Sequence, residues 1–296
     1  MTNRNCRLSA TALMITLLAV LAVAPTVSAA TPKKFYVSLG DSYAVGFQPG
    51  VGSTRNGFVD QLPGLAKSRG YNLKVVNFGC AAASSEALMK QVGCAKAALG
   101  LGATPYPKLT QLAAATKFIE ANRSKIALIT VAIGGHDVTS CVSAADTIGC
   151  VLAATAAIST NVTAAAKALR AAAGPKTKIV GTTYFDSVLG AWVKPGGAGG
   201  KSLAELSVVA FQSLINPALK KAYDSAKASF VDVTAATGAY GDLKVFENLA
   251  PYGLIPKPVA DMCRLSYYCD KGDIHPRTPG YKIMSEMIVA ELPRLK

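Results

Sequence analysis

Five short runs of apolar, mostly β-branched or aromatic residues are spaced along the chain from about residue 35. The runs are almost continuously apolar instead of alternating with polar residues, which is typical of strands covered on both faces of a sheet. The predicted strands are Phe35–Leu39, Leu73–Phe78, Ile126–Ile133, Lys178–Tyr184 and Ser229–Val233.

Segments with helical character separate these runs. The predicted helices are Phe58–Ser68, Lys108–Ala121, an Ala-rich stretch from about Ala144 to Ala173, Leu203–Lys227 and Pro279–Leu292. Strands that alternate with helices predict an α/β domain, a parallel sheet with helices on both faces. Ligands bind beyond the carboxyl ends of the strands in such sheets, so functional residues are expected directly after strands.

The first thirty residues have a different composition from the rest of the chain. Two arginines precede an apolar run from about Ala10 to Ala24, and small residues follow as far as Ala30. This is the pattern of a secretory signal peptide, and the run is shorter than the roughly 20 residues that span a bilayer. We predict a signal peptide at 1–30, a single exported domain at 31–296, and no later stretch that is long and apolar enough to cross a membrane.

Six cysteines remain after the predicted signal peptide. An even number in an exported chain predicts disulfides, although six cysteines allow many connectivities. They fall into three close pairs along the sequence, so we predict Cys80–Cys94, Cys141–Cys150 and Cys263–Cys269. Paired C-x-x-C spacing is absent and the chain has 2 histidines, which argues against zinc. We expect neither a metal nor a cofactor.

The charge is strongly basic, with 31 Lys and Arg against 17 Asp and Glu and a formal net charge of +14. This balance favours anionic surfaces such as a cell envelope or anionic lipid. The basic residues are scattered and no run alternates them with aromatic residues, so we do not expect nucleic acid as a partner. A monomer is expected.

A Gly-Asp-Ser-Tyr motif at 40–43 follows the first predicted strand. Ser42 could present its hydroxyl there to a ligand, although the same residues also suit a turn or a helix cap. A serine becomes a nucleophile when a base takes its proton. The chain offers His136 and His275, and the latter lies in an Asp-Ile-His-Pro motif in which Asp273 could orient the imidazole. A surface loop is the alternative interpretation.

Two other strand ends could supply hydrogen-bond donors. Asn-Phe-Gly-Cys at 77–80 follows the second strand, and Gly-Gly-His-Asp at 134–137 follows the third. Acyl transfer needs donors aimed at the oxyanion that develops on the substrate, and backbone N–H groups or short polar side chains at neighbouring strand ends could serve. Each motif could instead be an ordinary turn.

The order of these motifs resembles the SGNH or GDSL-type hydrolases, most closely the secreted actinobacterial members with three disulfides. The resemblance extends from Phe35 to Lys296. It implies a flavodoxin-like three-layer α/β/α sandwich with a central five-stranded parallel sheet, and hydrolysis of small-molecule, lipid or glycan esters. It also implies that Ser42 is the nucleophile, that His275 is the base, and that the N–H groups of Ser42 and Gly79 form part of an oxyanion hole.

Two departures from the family pattern stand out. His136 occupies the position of an oxyanion-binding Asn, although a neutral imidazole can still donate one N–H. The commoner acid position, three residues before the base, is Gly272 here, so we expect Asp273 to complete the triad, with a backbone carbonyl as the alternative. A secreted serine esterase or lipase is predicted. The alternatives are a non-catalytic glycan- or lipid-binding protein of the envelope, a carbohydrate acetylesterase or a thioesterase.

Overall fold

The computed structural model describes residues 33–194 and 198–295, and the predicted signal peptide lies outside these residues. One sheet contains five strands, all parallel, in the order β2-β1-β3-β4-β5. They are β1 (Lys34–Gly40), β2 (Leu73–Asn77), β3 (Ile126–Ala132), β4 (Lys178–Thr182) and β5 (Ser229–Val231). The predicted strands and the flavodoxin-like fold class are therefore confirmed.

Helices cover both faces of this sheet. They are α1 (Phe58–Ala66), α2 (Ser85–Lys90), α3 (Gln111–Ala121), α4 (Gly135–Thr139), α5 (Thr147–Ala173), α6 (Ala198–Ala210), α7 (Asn216–Asp224), α8 (Val233–Ala236), α9 (Lys257–Leu265), α10 (Tyr268–Lys271) and α11 (Thr278–Ala290). The sequence did not predict α2, α4, α8, α9, α10 or the antiparallel hairpin of β6 (Phe246–Leu249) and β7 (Gly253–Pro256).

The strand order explains the three layers. The chain moves from β1 outward to β2 and then crosses to β3 on the other side of β1. Because parallel crossovers are right-handed, this reversal sends the connecting helices to opposite faces. Accordingly, α1 packs against α11 on one face, while α5 packs against α3 and α7 on the other. The reversal also opens a crevice at the carboxyl ends of β1 and β3.

The core lies on both sides of β1 and β3, whose central residues are all buried. Burial of polar groups in these strands is compensated by hydrogen bonds. The Tyr36 hydroxyl lies 2.9 Å from Thr130 Oγ1, which in turn donates to Ser38 Oγ at 3.1 Å. The crevice therefore lies at the ends of two strands that are buried and whose polar side chains are hydrogen-bonded.

The predicted helix Leu203–Lys227 is interrupted in the structure. A π-helical turn at Phe211–Ile215 separates α6 from α7. Pro217 is near the first turn of α7, where it lacks an N–H and its ring would clash with the carbonyl four residues earlier.

By length and composition alone, Thr147–Ala173 and Gly199–Asp224 are long and apolar enough to cross a membrane, so the expectation that no later segment has these properties was wrong.

Three disulfides in the described part of the chain cross-link the loops around the sheet. They join Cys80 to Cys94, Cys141 to Cys150 and Cys263 to Cys269, as the sequence predicts. Each closes a short loop. In the chain-entropy model, such a closure lowers the entropy of the unfolded chain and so stabilises the folded state by roughly 2–3 kcal/mol. Cys80 follows β2 and Cys141 follows α4, so two of the three lie beside the crevice.

Candidate active site

Ser42 lies in the turn that follows β1, at the crevice. Gly40 holds this turn with a φ of +143°, and a Cβ there would come within 2.1 Å of the Ala132 carbonyl oxygen. Gln111 fixes the same residue from the other side, accepting its N–H at 2.7 Å and donating to its carbonyl at 3.1 Å. Ser42 is left partly exposed, and its own N–H has no acceptor in the described part of the chain.

Asp41 is buried directly beneath this turn. Its carboxylate accepts the Tyr43 N–H at 3.0 Å and the Tyr184 hydroxyl. Burial raises the pKa of Asp41 to about 6, against the opposing effect of the hydrogen bond from Tyr184. Asp41 therefore ties the backbone around Ser42 to the residues that follow β4.

His275 presents its two ring nitrogens to different surroundings. Nδ1 lies 2.7 Å from Asp273 Oδ1, and the same oxygen accepts the His275 backbone N–H at 2.9 Å. Nε2 is buried and has no partner among residues 33–194 and 198–295. Burial would raise the pKa of Asp273, but the hydrogen bonds from the His275 side chain and backbone hold that pKa below its ordinary value. The imidazole is therefore fixed with Nε2 available as a base.

Contacts with other elements hold the loop that carries His275. The Ile274 carbonyl accepts the Tyr43 hydroxyl at 3.0 Å and the Ser187 hydroxyl at 2.7 Å. The Phe47 ring packs against the imidazole with their centroids 4.4 Å apart. Because these partners follow β1 and β4, the histidine is positioned by the same framework as Ser42. Sequence reasoning did not identify Tyr43 or Ser187 in this role.

Ser42 and His275 line one cavity that encloses about 920 Å³ including its open mouth. No hydrogen bond joins Ser42 Oγ to Nε2 in the described residues, and such bonds commonly tighten when substrate binds. The lining is mostly apolar, as in sites that bind acyl or aromatic groups. Its apolar members include Phe47, Val138, Val142, Phe185, Val188, Phe211, Ile215 and Ile274.

The structure does not bring Gly79 to this cavity. Its N–H donates to Asn77 Oδ1 at 2.8 Å, and its α-carbon faces the buried side chains of Ala44 and Val45. Ala82, three residues later, lines the cavity instead and has a φ of +62°. Its N–H has no acceptor in the described part of the chain. The sequence does not reveal this donor, because an Ala gives no signal for a left-handed backbone.

His136 also lines the cavity and is exposed to solvent at the start of α4. Its side chain makes no hydrogen bond within the part of the chain that the structure describes. The next residue, Asp137, accepts both the backbone N–H and the hydroxyl of Ser85, at 2.8 and 2.6 Å. The backbone beside His136 is therefore anchored, and its exposed side chain faces the cavity.

The described residues contain no group of three or more His, Cys, Asp or Glu side chains placed to hold a metal ion. A serine, a histidine and a carboxylate at the switch point of a parallel sheet are the arrangement of a serine hydrolase. A family model for the GDSL-like lipase/acylhydrolases matches residues 38–283. The chain therefore belongs to this family and is a hydrolase of ester bonds.

Solved structures with the same fold include the lipase Lip_vut3 from a goat rumen metagenome, with a TM-score of 0.55 at 19% identity over 89% of this chain and 100% of that one. The extracellular lipase from Streptomyces rimosus has a TM-score of 0.46 at 17% identity, over 86% of this chain and 99% of that one. Phospholipase A1 from Streptomyces albidoflavus has a TM-score of 0.47 at 17% identity, over 86% of this chain and 99% of that one. No curated protein matches the sequence significantly.

Proposed function

We propose that the protein is a secreted serine esterase that cleaves carboxylic esters of apolar acyl groups by an acyl-enzyme mechanism. Ser42 is the nucleophile, His275 the general base and Asp273 the carboxylate that orients the imidazole. The observation that carries this proposal is the state of His275, whose Nδ1 is bonded to Asp273 while Nε2 is buried without a partner beside the Ser42 cavity.

The proposed reaction has two steps. The Ser42 hydroxyl gives its proton to His275 Nε2 as Oγ attacks the ester carbonyl, and the resulting tetrahedral intermediate expels the alcohol, which takes the proton from the imidazolium. Water then attacks the acyl-serine, again losing its proton to His275. The proton returns to Ser42 Oγ as the carboxylic acid leaves.

The proposed oxyanion donors are the N–H groups of Ser42 and Ala82, with the imidazole of His136 as a side-chain donor. Both backbone groups belong to cavity-lining residues and lack acceptors among the described residues, so they are available to a substrate oxygen. Ala82 takes the place of Gly79, whose N–H is already bonded. Preorganised donors of this kind contribute most when they need not rearrange during the reaction.

The lining favours a hydrocarbon chain as the acyl group. Aliphatic and aromatic side chains from α4, the segment after β4 and the π-helical turn surround most of the cavity. An acetyl group would leave much of this apolar surface exposed to water, at about 25 cal/mol for each Å². A long-chain ester is therefore favoured over a carbohydrate acetate.

Export is part of the proposal. The segment 1–30 has the sequence pattern of a signal peptide, and three disulfides suit an oxidising compartment. Expression of the full chain in a secreting host, followed by N-terminal sequencing of the mature protein, tests this. We expect the first residue at position 30 or 31, and retention of the intact N-terminus would contradict it.

The catalytic test is hydrolysis of p-nitrophenyl esters from acetyl to palmitoyl by the mature protein and its Ser42→Ala variant. We expect a maximum above acetyl and loss of activity in the variant. Labelling by a fluorophosphonate should likewise require Ser42. A folded protein that hydrolyses no ester and resists labelling would refute the proposal and favour the non-catalytic binding protein.

A further inference from the structure

An uncharged apolar helix surface lies beside the mouth of the cavity. From Thr147 to Ala166, α5 contains no charged residue. Only 17% of its most apolar window of 18 residues is buried in the protein. Helices of soluble proteins normally bury their apolar face against the core. The exposed side of α5 therefore has no partner within the described residues that explains its composition.

Five large aliphatic side chains form this surface, which we call the apolar rim. Val142 is 40% exposed, Ile148 61%, Leu152 51%, Leu206 39% and Val209 56%. They occupy the loop after α4, the first turns of α5, and α6. Single exposed aliphatic residues are ordinary, whereas several on neighbouring elements beside a cavity are typical of a binding surface.

The disulfide between Cys141 and Cys150 connects one part of the apolar rim to the cavity. Its two α-carbons are 5.5 Å apart, so the first turns of α5 lie against Val142, which itself lines the cavity. Ile148 and Leu152 are two residues before and after Cys150. The disulfide therefore fixes the first turns of α5, which carry Ile148 and Leu152, to the neighbour of the cavity-lining Val142.

The second part of the apolar rim reaches the same mouth through the π-helical turn. Phe211 lines the cavity, and Val209 precedes it by two residues. At the other ends of the helices, Arg170 in α5 donates to the Ala226 carbonyl after α7. Because α5 and α7 run side by side with their carboxyl ends together, the π-helical turn lies toward the amino-terminal half of α5.

We propose that the apolar rim docks the enzyme on the surface of aggregated anionic lipid, so that a substrate chain passes from the aggregate into the cavity. This inference rests on the proposed function, because it supplies the physical state of the substrate. An uncharged aliphatic surface can enter the interfacial region of a bilayer, and burial of its side chains there is favourable.

The net charge of the chain indicates which partner binds the apolar rim. The full chain has a formal net charge of +14, and removal of the two arginines in segment 1–30 leaves 14 − 2 = +12. Two such copies repel one another, whereas an anionic lipid surface attracts each copy. A second copy of the chain is therefore a weaker candidate for the apolar rim than a lipid surface. The helices that contribute the rim, α5 and α6, lie within the two segments that have the composition of membrane spans.

The test measures vesicle binding apart from catalysis. Ser42→Ala protein is mixed with vesicles of equal parts phosphatidylglycerol and phosphatidylcholine, and the bound fraction is measured by sedimentation. The rim variant adds Ile148→Ser and Leu152→Ser, neither of which lines the cavity. The matched control adds Val245→Ser and Leu254→Ser, at 53% and 70% exposure beside or on the β6–β7 hairpin.

We expect the rim variant to lose about tenfold in partition coefficient, because two aliphatic side chains no longer enter the lipid, and the control to change less than twofold. The same paired substitutions in active protein should leave hydrolysis of soluble p-nitrophenyl butyrate within twofold, which verifies the fold. Equal binding by the rim and control variants would overturn the inference. So would a dimer, seen by light scattering, that the rim substitutions dissociate while vesicle binding is unchanged.

The two proposals can fail separately. Rim-dependent vesicle binding by Ser42→Ala protein, with no ester hydrolysis by the unaltered enzyme, would uphold docking and refute the esterase. Hydrolysis of soluble esters with no vesicle binding would uphold the esterase and refute docking.

Discussion

Replacement of Asp273 by Asn tests the step on which the proposed mechanism most depends. The carboxylate accepts from both Nδ1 and the backbone N–H of His275 through one oxygen. An Asn of the same shape can keep one of these bonds, but its amide can also donate to Nδ1. That arrangement places the imidazole proton on Nε2, where it prevents acceptance of the Ser42 proton.

The size of the effect follows from the charges. In the transition state His275 is an imidazolium beside the Asp273 carboxylate, and their side chains are only 12% and 25% exposed. Opposite charges about 4 Å apart at an effective dielectric constant near 20 attract by about 4 kcal/mol. At about 1.4 kcal/mol for each tenfold change in rate, their loss lowers kcat/KM by about a thousandfold.

The assay is kcat/KM for p-nitrophenyl butyrate at pH 8, with folding verified by circular dichroism. Asp270→Asn is the matched control, because Asp270, in α10 just before this loop, pairs with Arg277 at 2.8 Å but does not contact the imidazole. We expect the control to retain activity within about threefold, as surface ion pairs contribute little. A loss below tenfold in Asp273→Asn would refute the triad and favour a backbone carbonyl as the orienting group.

Three further predictions concern the oxyanion hole and a buried acid. His136→Asn should leave or raise kcat/KM, while His136→Ala should lower it by about tenfold to a hundredfold; collapse in the Asn variant would exclude simple substitution of one donor by another. Ala82→Gly should raise the free energy of unfolding, measured by urea titration, by up to about 1 kcal/mol without loss of activity, because glycine adopts the φ of +62° without strain. Lys227→Gly, at φ +52°, is the control. Burial raises the pKa of Asp186 from 3.8 to about 7. As the pH rises, the unfolded chain therefore loses this proton before the folded chain does, and stability should fall by a few kcal/mol between about pH 4 and 7. Urea titrations should find a smaller fall in Asp186→Asn, in which the raised pKa of Asp41 still contributes.

The sheet could be predicted because its strands are short apolar runs with no competing pattern. Each predicted strand overlaps an observed one, with ends that differ by one or two residues. Helix α9 was missed because it is short and begins with Lys and Pro, which resemble a loop. The π-helical turn was missed because apolar periodicity continues through Phe211–Ile215, and only the proline beyond it disturbs the hydrogen bonds.

The site could be predicted in part. Ser42 and His275 carry side chains with distinct chemistry and follow from residue type and position. The backbone donor does not, since every residue except proline has an N–H and only the fold decides which one is left without an acceptor. Asn77 Oδ1 accepts the Gly79 N–H, so that N–H is not available to a substrate oxygen. The sequence alone does not show this contact.

The backbone of the site is more tightly constrained than its side-chain donor. Gly40 ends β1 with a φ of +143° and Gly134 lies two residues after β3 with a φ of +115°, so both sides of the crevice depend on glycine. At Gly40 an added Cβ would meet a carbonyl oxygen at 2.1 Å, which no side-chain movement relieves. His136 instead follows these fixed turns with an exposed side chain, so replacement of His136 by Asn should change only the proposed donor and leave the turns around Ser42 in place.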